Sequence, residues 1–147
     1  MRASIVWHTP NPERTIAMAM RRCYSTKTIE EIQAELEQKG PEYWKYLLTR
    51  ALQDKSLDVI EHFCLTVIID GLSDARAGEL SRRFQHVRLL SLQDESWLLS
   101  LNARTLIEVW RGGAETDLAD AIVSELQRKG VSPILSELAF GGKTVAS

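Results

Sequence analysis

The stretch SLDVIEHFCLTVIIDGLS, Ser56 to Ser73, decides how the rest of the chain is read. Phe63 to Ile69 is an apolar run with β-branched residues at Thr66, Val67, Ile68 and Ile69, and it is short for a helix. Such a run fits a central strand of a sheet. Gly71 to Ser73 reads as a turn, and Ser73 as the N-cap of a helix reaching about Leu90. Glu61 and His62 stand directly in front of the strand. A titratable pair at that place either reaches water at a strand end or lines a site, and both readings stand on this stretch alone.

Working towards the N-terminus, Ala3 to Trp7 is a short β-branched run and predicts a first strand. Asn11-Pro12 has the form of an N-cap followed by a first helical residue, opening a helix through TIAMAMRRCY. Thr28 with Glu31 three residues on forms a capping box, and Ile29, Ile32 and Leu36 mark one helical face. Gly40-Pro41 ends that helix and begins another, with Trp44, Leu47, Leu48 and Leu52 at helical spacing as core.

Working towards the C-terminus, residues 91–96 (SLQDES) are polar and predict a loop, and Trp97 to Leu101 a strand. Asn102 caps a helix through ARTLIEVWR that stops at Gly112-Gly113. A further helix uses Leu118, Ile122 and Leu126 and ends at Gly130, and Ser132-Pro133 opens a last short one. The expectation is a single α+β domain over residues 1–147, a mixed sheet flanked by helices, with more helix than strand.

Composition narrows the function classes. A net charge of −2 gives no large electropositive field, so no nucleic-acid partner is expected. The basic groups Arg21-Arg22 and Arg82, Arg83 and Arg88 read as solvated helix faces. Cys23 and Cys64, the two cysteines, read as small buried hydrophobes, with neither a disulfide framework nor a thiolate metal site. His8, His62 and His86 lack ligand spacing, so no metal is expected. No phosphate loop, HExxH or GxSxG pattern occurs. MRASIVWHTP carries no signal-type apolar stretch, and no apolar run approaches membrane-spanning length. A cytoplasmic protein without a membrane partner is expected.

Three segments carry a resemblance. VWHTPNPERTIAMAMRRCYS has a strand, a Pro-containing turn and a helix ending in Arg-x-Cys-Tyr-Ser. Glu61-His62, FCLTVIID and Gly71-Leu72-Ser73 give a Glu-His pair, an apolar strand with a central Thr, and Gly-x-Ser before a helix. SLNARTLIEVWR gives Asn-Ala-Arg and a helix ending in Arg. In this order the three resemble the flavin-dependent thymidylate synthases, in a shortened and divergent form. The resemblance implies that family's fold in shortened form. It also implies FAD as cofactor, NADPH and methylenetetrahydrofolate as co-substrates, and reductive methylation of dUMP to dTMP. The family builds its active sites between subunits of a homotetramer, so a homo-oligomer follows from the likeness.

The Glu-His pair of that family lies beside the flavin, which gives polar groups at a strand end a purpose. A carboxylate in a low-dielectric site accepts strong hydrogen bonds from a ligand. Arg104 matches the arginine of Asn-Ala-Arg, implied to bind the nucleotide, and a guanidinium fork suits a phosphate or a pyrimidine edge.

The family's Arg-His-Arg signature, followed seven residues later by Ser, is where the chain departs. Counting from Glu61-His62 places Arg82-Arg83-Phe84 there, keeping only the first arginine. A register shifted by four residues gives His86-Val87-Arg88 and then Ser96. A third sets Arg88-Leu89-Leu90 against a later strand lead-in and leaves the signature serine without a match; this third register is favoured. The family histidine six residues before His62 is Ser56 here, and the arginine after Gly-x-Ser is Asp74. The Gln and Glu of the helix after Asn-Ala-Arg are Asp117 and Ala119. An aspartate at an anion-binding position adds like-charge repulsion.

Across these registers, Glu61, His62 and Arg82 are the implied flavin contacts, and Arg104, Arg88 and Ser96 the implied contacts of a dUMP-like nucleotide. No nucleophile or general base is assigned. The alternative is a catalytically degenerate member that binds flavin or nucleotide, or serves as an oligomeric partner or scaffold, without synthase activity.

Overall fold

The strand read from Phe63 to Ile69 sits at Cys64–Asp70 as β2, in the interior of a four-stranded sheet of order β1-β2-β4-β3. The computed structural model describes residues 1–141. The other strands are β1 (Arg2–His8), β3 (Arg88–Ser91) and β4 (Trp97–Asn102). Among the described residues seven helices accompany them: α1 (Pro12–Cys23), α2 (Ile29–Lys39), α3 (Pro41–Gln53), α4 (Asp74–Arg83), α5 (Ala103–Gly112), α6 (Thr116–Arg128) and α7 (Pro133–Phe140). A one-turn 3-10 helix, Val59–His62, leads into β2. The α+β class stands, but the three strand pairings are all antiparallel where a mixed sheet was expected.

Local chemistry explains the element ends. Thr28 Oγ1 accepts the Glu31 amide at 3.2 Å, and the Glu31 carboxylate accepts the Thr28 amide at 2.8 Å, completing the capping box. Asn102 Oδ1 accepts the Thr105 amide at 2.9 Å and starts α5 directly off β4. Gly113, at φ +71, ends α5 in a left-handed conformation that glycine adopts without steric cost. Asn11 stands at the N-cap position of α1, but in a left-handed conformation (φ 44) and without a side-chain cap.

Two expectations about local structure fail. The helix after Ser73 stops at Arg83, and Arg88–Ser91 forms an edge strand instead of continuing it. Val87 is buried and Leu89 half-buried while Arg88 and Leu90 face out, a period of two that a strand satisfies and a helix does not. Ile29, expected in the core stripe of α2, is 40% exposed.

One core lies against one face of the sheet. Leu65, Val67 and Ile69 of β2 pack there with Leu99 and Leu101 of β4, on the side where α5 meets β4 and α6 meets β1. Each fully buried aliphatic side chain contributes about 1.5–3 kcal/mol relative to exposure. The opposite face, carrying Cys64, Thr66, Ile68, Leu98 and Ser100, remains partly open, and Trp7 is 52% and Leu90 61% exposed. β2 is therefore buried on one side only. Cys64 is exposed for that reason, and Cys23 is exposed near the end of α1; neither is the buried hydrophobe expected.

Candidate functional site

The sheet end where β2 begins and β4 finishes brings together residues distant in sequence. Cys64 and Asn102 are opposite each other across β2 and β4, and the Ala103 amide donates to the Phe63 carbonyl at 2.8 Å. This pins the 3-10 turn bearing Glu61 beside the first turn of α5 bearing Arg104. Arg104 Nη1 donates to Glu61 Oε1 at 2.8 Å, and Arg104 Nε to Glu108 Oε1 at 3.3 Å. Both partners of the first pair are about one-third exposed, so ligand groups in solvent can reach them. The hydrogen bond to Glu61 pushes the Arg104 pKa further up, and the guanidinium stays charged.

Thr9 closes the same end from β1. Its hydroxyl donates to the His62 carbonyl at 3.2 Å and accepts the Cys64 amide at 2.9 Å, and its own amide donates to the Cys64 carbonyl at 3.0 Å. His62 itself is exposed. On the open sheet face, Thr66 Oγ1 and Ser100 Oγ share a hydrogen bond of 3.1 Å. Trp7 pairs with Thr66 on one side of this couple, and Arg88 with Ser100 on the other. One strand row thus offers an aromatic ring, two hydroxyls and a guanidinium. Its alternation was readable in CLTVIID, where Cys64, Thr66, Ile68 and Asp70 share the parity opposite to the core residues.

The remaining implied residues are not bonded to the Glu61–Arg104 pair. Arg82 is exposed in the last turn of α4, and Arg88 donates to the Gln85 carbonyl at 3.3 Å. Ser96 is 1% exposed, and its hydroxyl donates to Asp94 within the β3–β4 loop. Among the described residues, none of these three makes a hydrogen bond or ion pair with Glu61, His62 or Arg104.

The opposite end of the sheet is acidic. Asp70, Asp74, Asp94 and Glu95 line a cavity of about 730 Å³ between the turn at Gly71 and the β3–β4 loop; among the described residues no basic side chain lines it, though Arg2 pairs with Asp70 at 3.2 Å. Such a cavity repels phosphate. Asp117 has a different fate: Arg76 of α4 holds it at 2.7 Å and also bonds Glu115. The hydrogen bond from Arg76 lowers the Asp117 pKa to about 2, and the guanidinium balances its charge.

The chain is similar to known proteins in sequence and in fold. The family model described as Thymidylate synthase complementing protein matches residues 4–97. The flavin-dependent thymidylate synthase of Geobacter sulfurreducens is 30% identical over 82 residues, covering 56% of this chain and 34% of that protein. That of Clostridium tetani is 29% identical over 83 residues, covering 56% and 32%. The matched segment spans about a third of the length of these relatives. Among solved structures, flavin dependent thymidylate synthase ThyX from Helicobacter pylori, complexed with FAD and dUMP, shares the fold with a TM-score of 0.60. It is 16% identical, with 95% of this chain and 98% of that chain covered. The strand bearing Glu61-His62 at its mouth, the Gly-x-Ser turn and the first helix all fall within the matched residues, and the chain belongs to the Thymidylate synthase complementing protein family.

Proposed function

We propose that this chain binds FAD and a dUMP-like nucleotide at the sheet end built by Glu61, His62 and Arg104. In this reading it catalyses the reductive methylation of dUMP to dTMP, with NADPH and methylenetetrahydrofolate as co-substrates. The observation that carries the reading is the Arg104–Glu61 pair at 2.8 Å, partly exposed beside an open sheet face. The groups present suit a flavin: a flat aromatic surface in Trp7, hydroxyls in Thr66 and Ser100, and guanidinium groups in Arg88 and Arg104 for anionic oxygens. Bound there, the flavin would supply the hydride chemistry. This chain's own residues would bind and orient: Arg104 donates to a phosphate or a pyrimidine carbonyl, Glu61 accepts from a ring N–H, and Arg88 adds positive charge on the open sheet face. The exposed Trp7 and Leu90 on the uncovered face give a homo-oligomer an apolar contact surface, in keeping with a tetramer.

A second reading, binding without turnover, is favoured by Ser96 and Asp74. The Ser96 hydroxyl is committed to Asp94, and Asp74 adds negative charge where the family pattern has arginine. The test is tritium release from dUMP labelled at C5, with FAD, NADPH and methylenetetrahydrofolate present. Release that is lost in Arg104→Gln supports the synthase. Saturable dUMP binding by calorimetry without release supports the binder, and neither binding nor release overturns both.

A further inference from the structure

The turn that presents Glu61 is tied to the end of β1 by Thr9. Val59, Ile60 and Phe63 bury the apolar side of that 3-10 turn, while Glu61 is half-buried and His62 exposed. The core therefore fixes where the turn sits, but not how its polar side is held. Thr9 Oγ1 donates to the His62 carbonyl at 3.2 Å and accepts the Cys64 amide at 2.9 Å, and the Thr9 amide donates to the Cys64 carbonyl at 3.0 Å. Between these contacts the Phe63 carbonyl accepts the Ala103 amide of α5 at 2.8 Å.

The sequence around Thr9 explains why a side chain is used. The β1–β2 ladder ends at the His8–Leu65 pair. Pro10 follows with no N–H to donate, and it keeps Thr9 extended. Asn11, at φ 44, then turns the chain into α1. The backbone of β1 can carry the ladder no further, and the Thr9 hydroxyl takes the place of the next strand residue. One hydroxyl serves as donor and acceptor at once; a valine of the same shape does neither.

Support of the fold and placement of the turn respond differently to its loss. Thr9 is half-buried, so water can bond to His62 and Cys64 in place of the hydroxyl and the fold is kept. Such a water has no covalent tie to β1, and the turn loses its fixed place. A carboxylate that accepts from a ligand while held 2.8 Å from Arg104 tolerates little displacement.

We propose that Thr9 is a positioning residue for the Glu61–Arg104 site, its hydroxyl fixing the turn on which Glu61 and His62 stand. The effect on binding rests on the reading of that pair as a nucleotide site; the effect on the turn is measurable without ligand.

Thr9→Val and Thr9→Ser are compared with the parent by amide hydrogen exchange and by calorimetry with dUMP. The Ala103 amide, bonded to Phe63, reports whether the turn stays against α5. It is expected to exchange about tenfold faster in Thr9→Val and at the parent rate in Thr9→Ser. The amides of Val67 and Leu99, opposite each other in the middle of the sheet, are expected to keep the parent rate in both. Affinity for dUMP is expected to fall about five- to tenfold in Thr9→Val, the worth of one hydrogen bond, and to return to within about twofold in Thr9→Ser. Unchanged Ala103 exchange in Thr9→Val overturns the positioning role, and so does an acceleration shared by Val67 and Leu99, which marks a merely structural one. Equal dUMP affinity in all three proteins overturns it as well. A parent that binds no dUMP contradicts the nucleotide reading instead, and the Ala103 rates then decide the role of Thr9 by themselves.

Discussion

Arg104 and Glu61 form a pair that suits exchange with a ligand more than support of the fold. An ion pair with both partners about one-third exposed is worth about 0–1 kcal/mol. Arg104→Gln should therefore leave the urea midpoint nearly unchanged while weakening nucleotide affinity about 10- to 100-fold, as expected for a lost charge-assisted contact; calorimetry with dUMP checks this. Glu35 is the opposite case. It is 10% exposed and accepts from Arg21, Lys27 and Lys39 at 3.1–3.3 Å, and from the Tyr43 hydroxyl. Burial raises its pKa, but the bonds from Lys39, Arg21 and Lys27 outweigh that and hold it at about 2, below the ordinary 4.5. The folded pKa is depressed, so the stability this carboxylate contributes is complete above about pH 4.5 and is lost as pH falls towards 2. Urea midpoints between pH 2 and 5 should fall less steeply in Glu35→Gln than in the parent.

Among the elements, helix starts are the most local devices, and removing one tests the fold directly. Thr28→Ala deletes half of the capping box and should cost about 0.5–2 kcal/mol in urea denaturation. Such devices were legible in the sequence because each is written within three or four residues: Thr28 with Glu31, Asn102 before α5, Gly113 after it. The boundary between α4 and β3 was not legible in the same way. Arg82, Arg83 and Arg88 suggested a charged helix face, whereas Val87 and Leu89 alternate towards the core and are decided by pairing with β4. The exposure of Cys64 was hidden by a similar ambiguity. FCLTVII is apolar enough to suit a strand buried on both faces, and only the one-sided stacking of helices shows that Cys64 and Thr66 look outward.

Across the whole molecule, the two ends of the sheet differ in charge. Arg104 and Arg88 lie towards one, balanced by Glu61 and Glu108, while four carboxylates, one of them paired with Arg2, line the cavity at the other. The pairing of Glu61 with Arg104 joins residues 43 positions apart and could be expected only through the family resemblance, since no local pattern encodes it. Thr9, which ties His62 and Cys64 to β1, had no signal in sequence, because its role arises from strand register. The placement of a flavin and nucleotide at this end is best tested by the absorbance spectrum of the purified protein after incubation with FAD and exhaustive dialysis. A flavin band retained by the parent and lost in Glu61→Ala together with Arg104→Gln is the predicted result. A folded parent, by circular dichroism, that retains no flavin would contradict it.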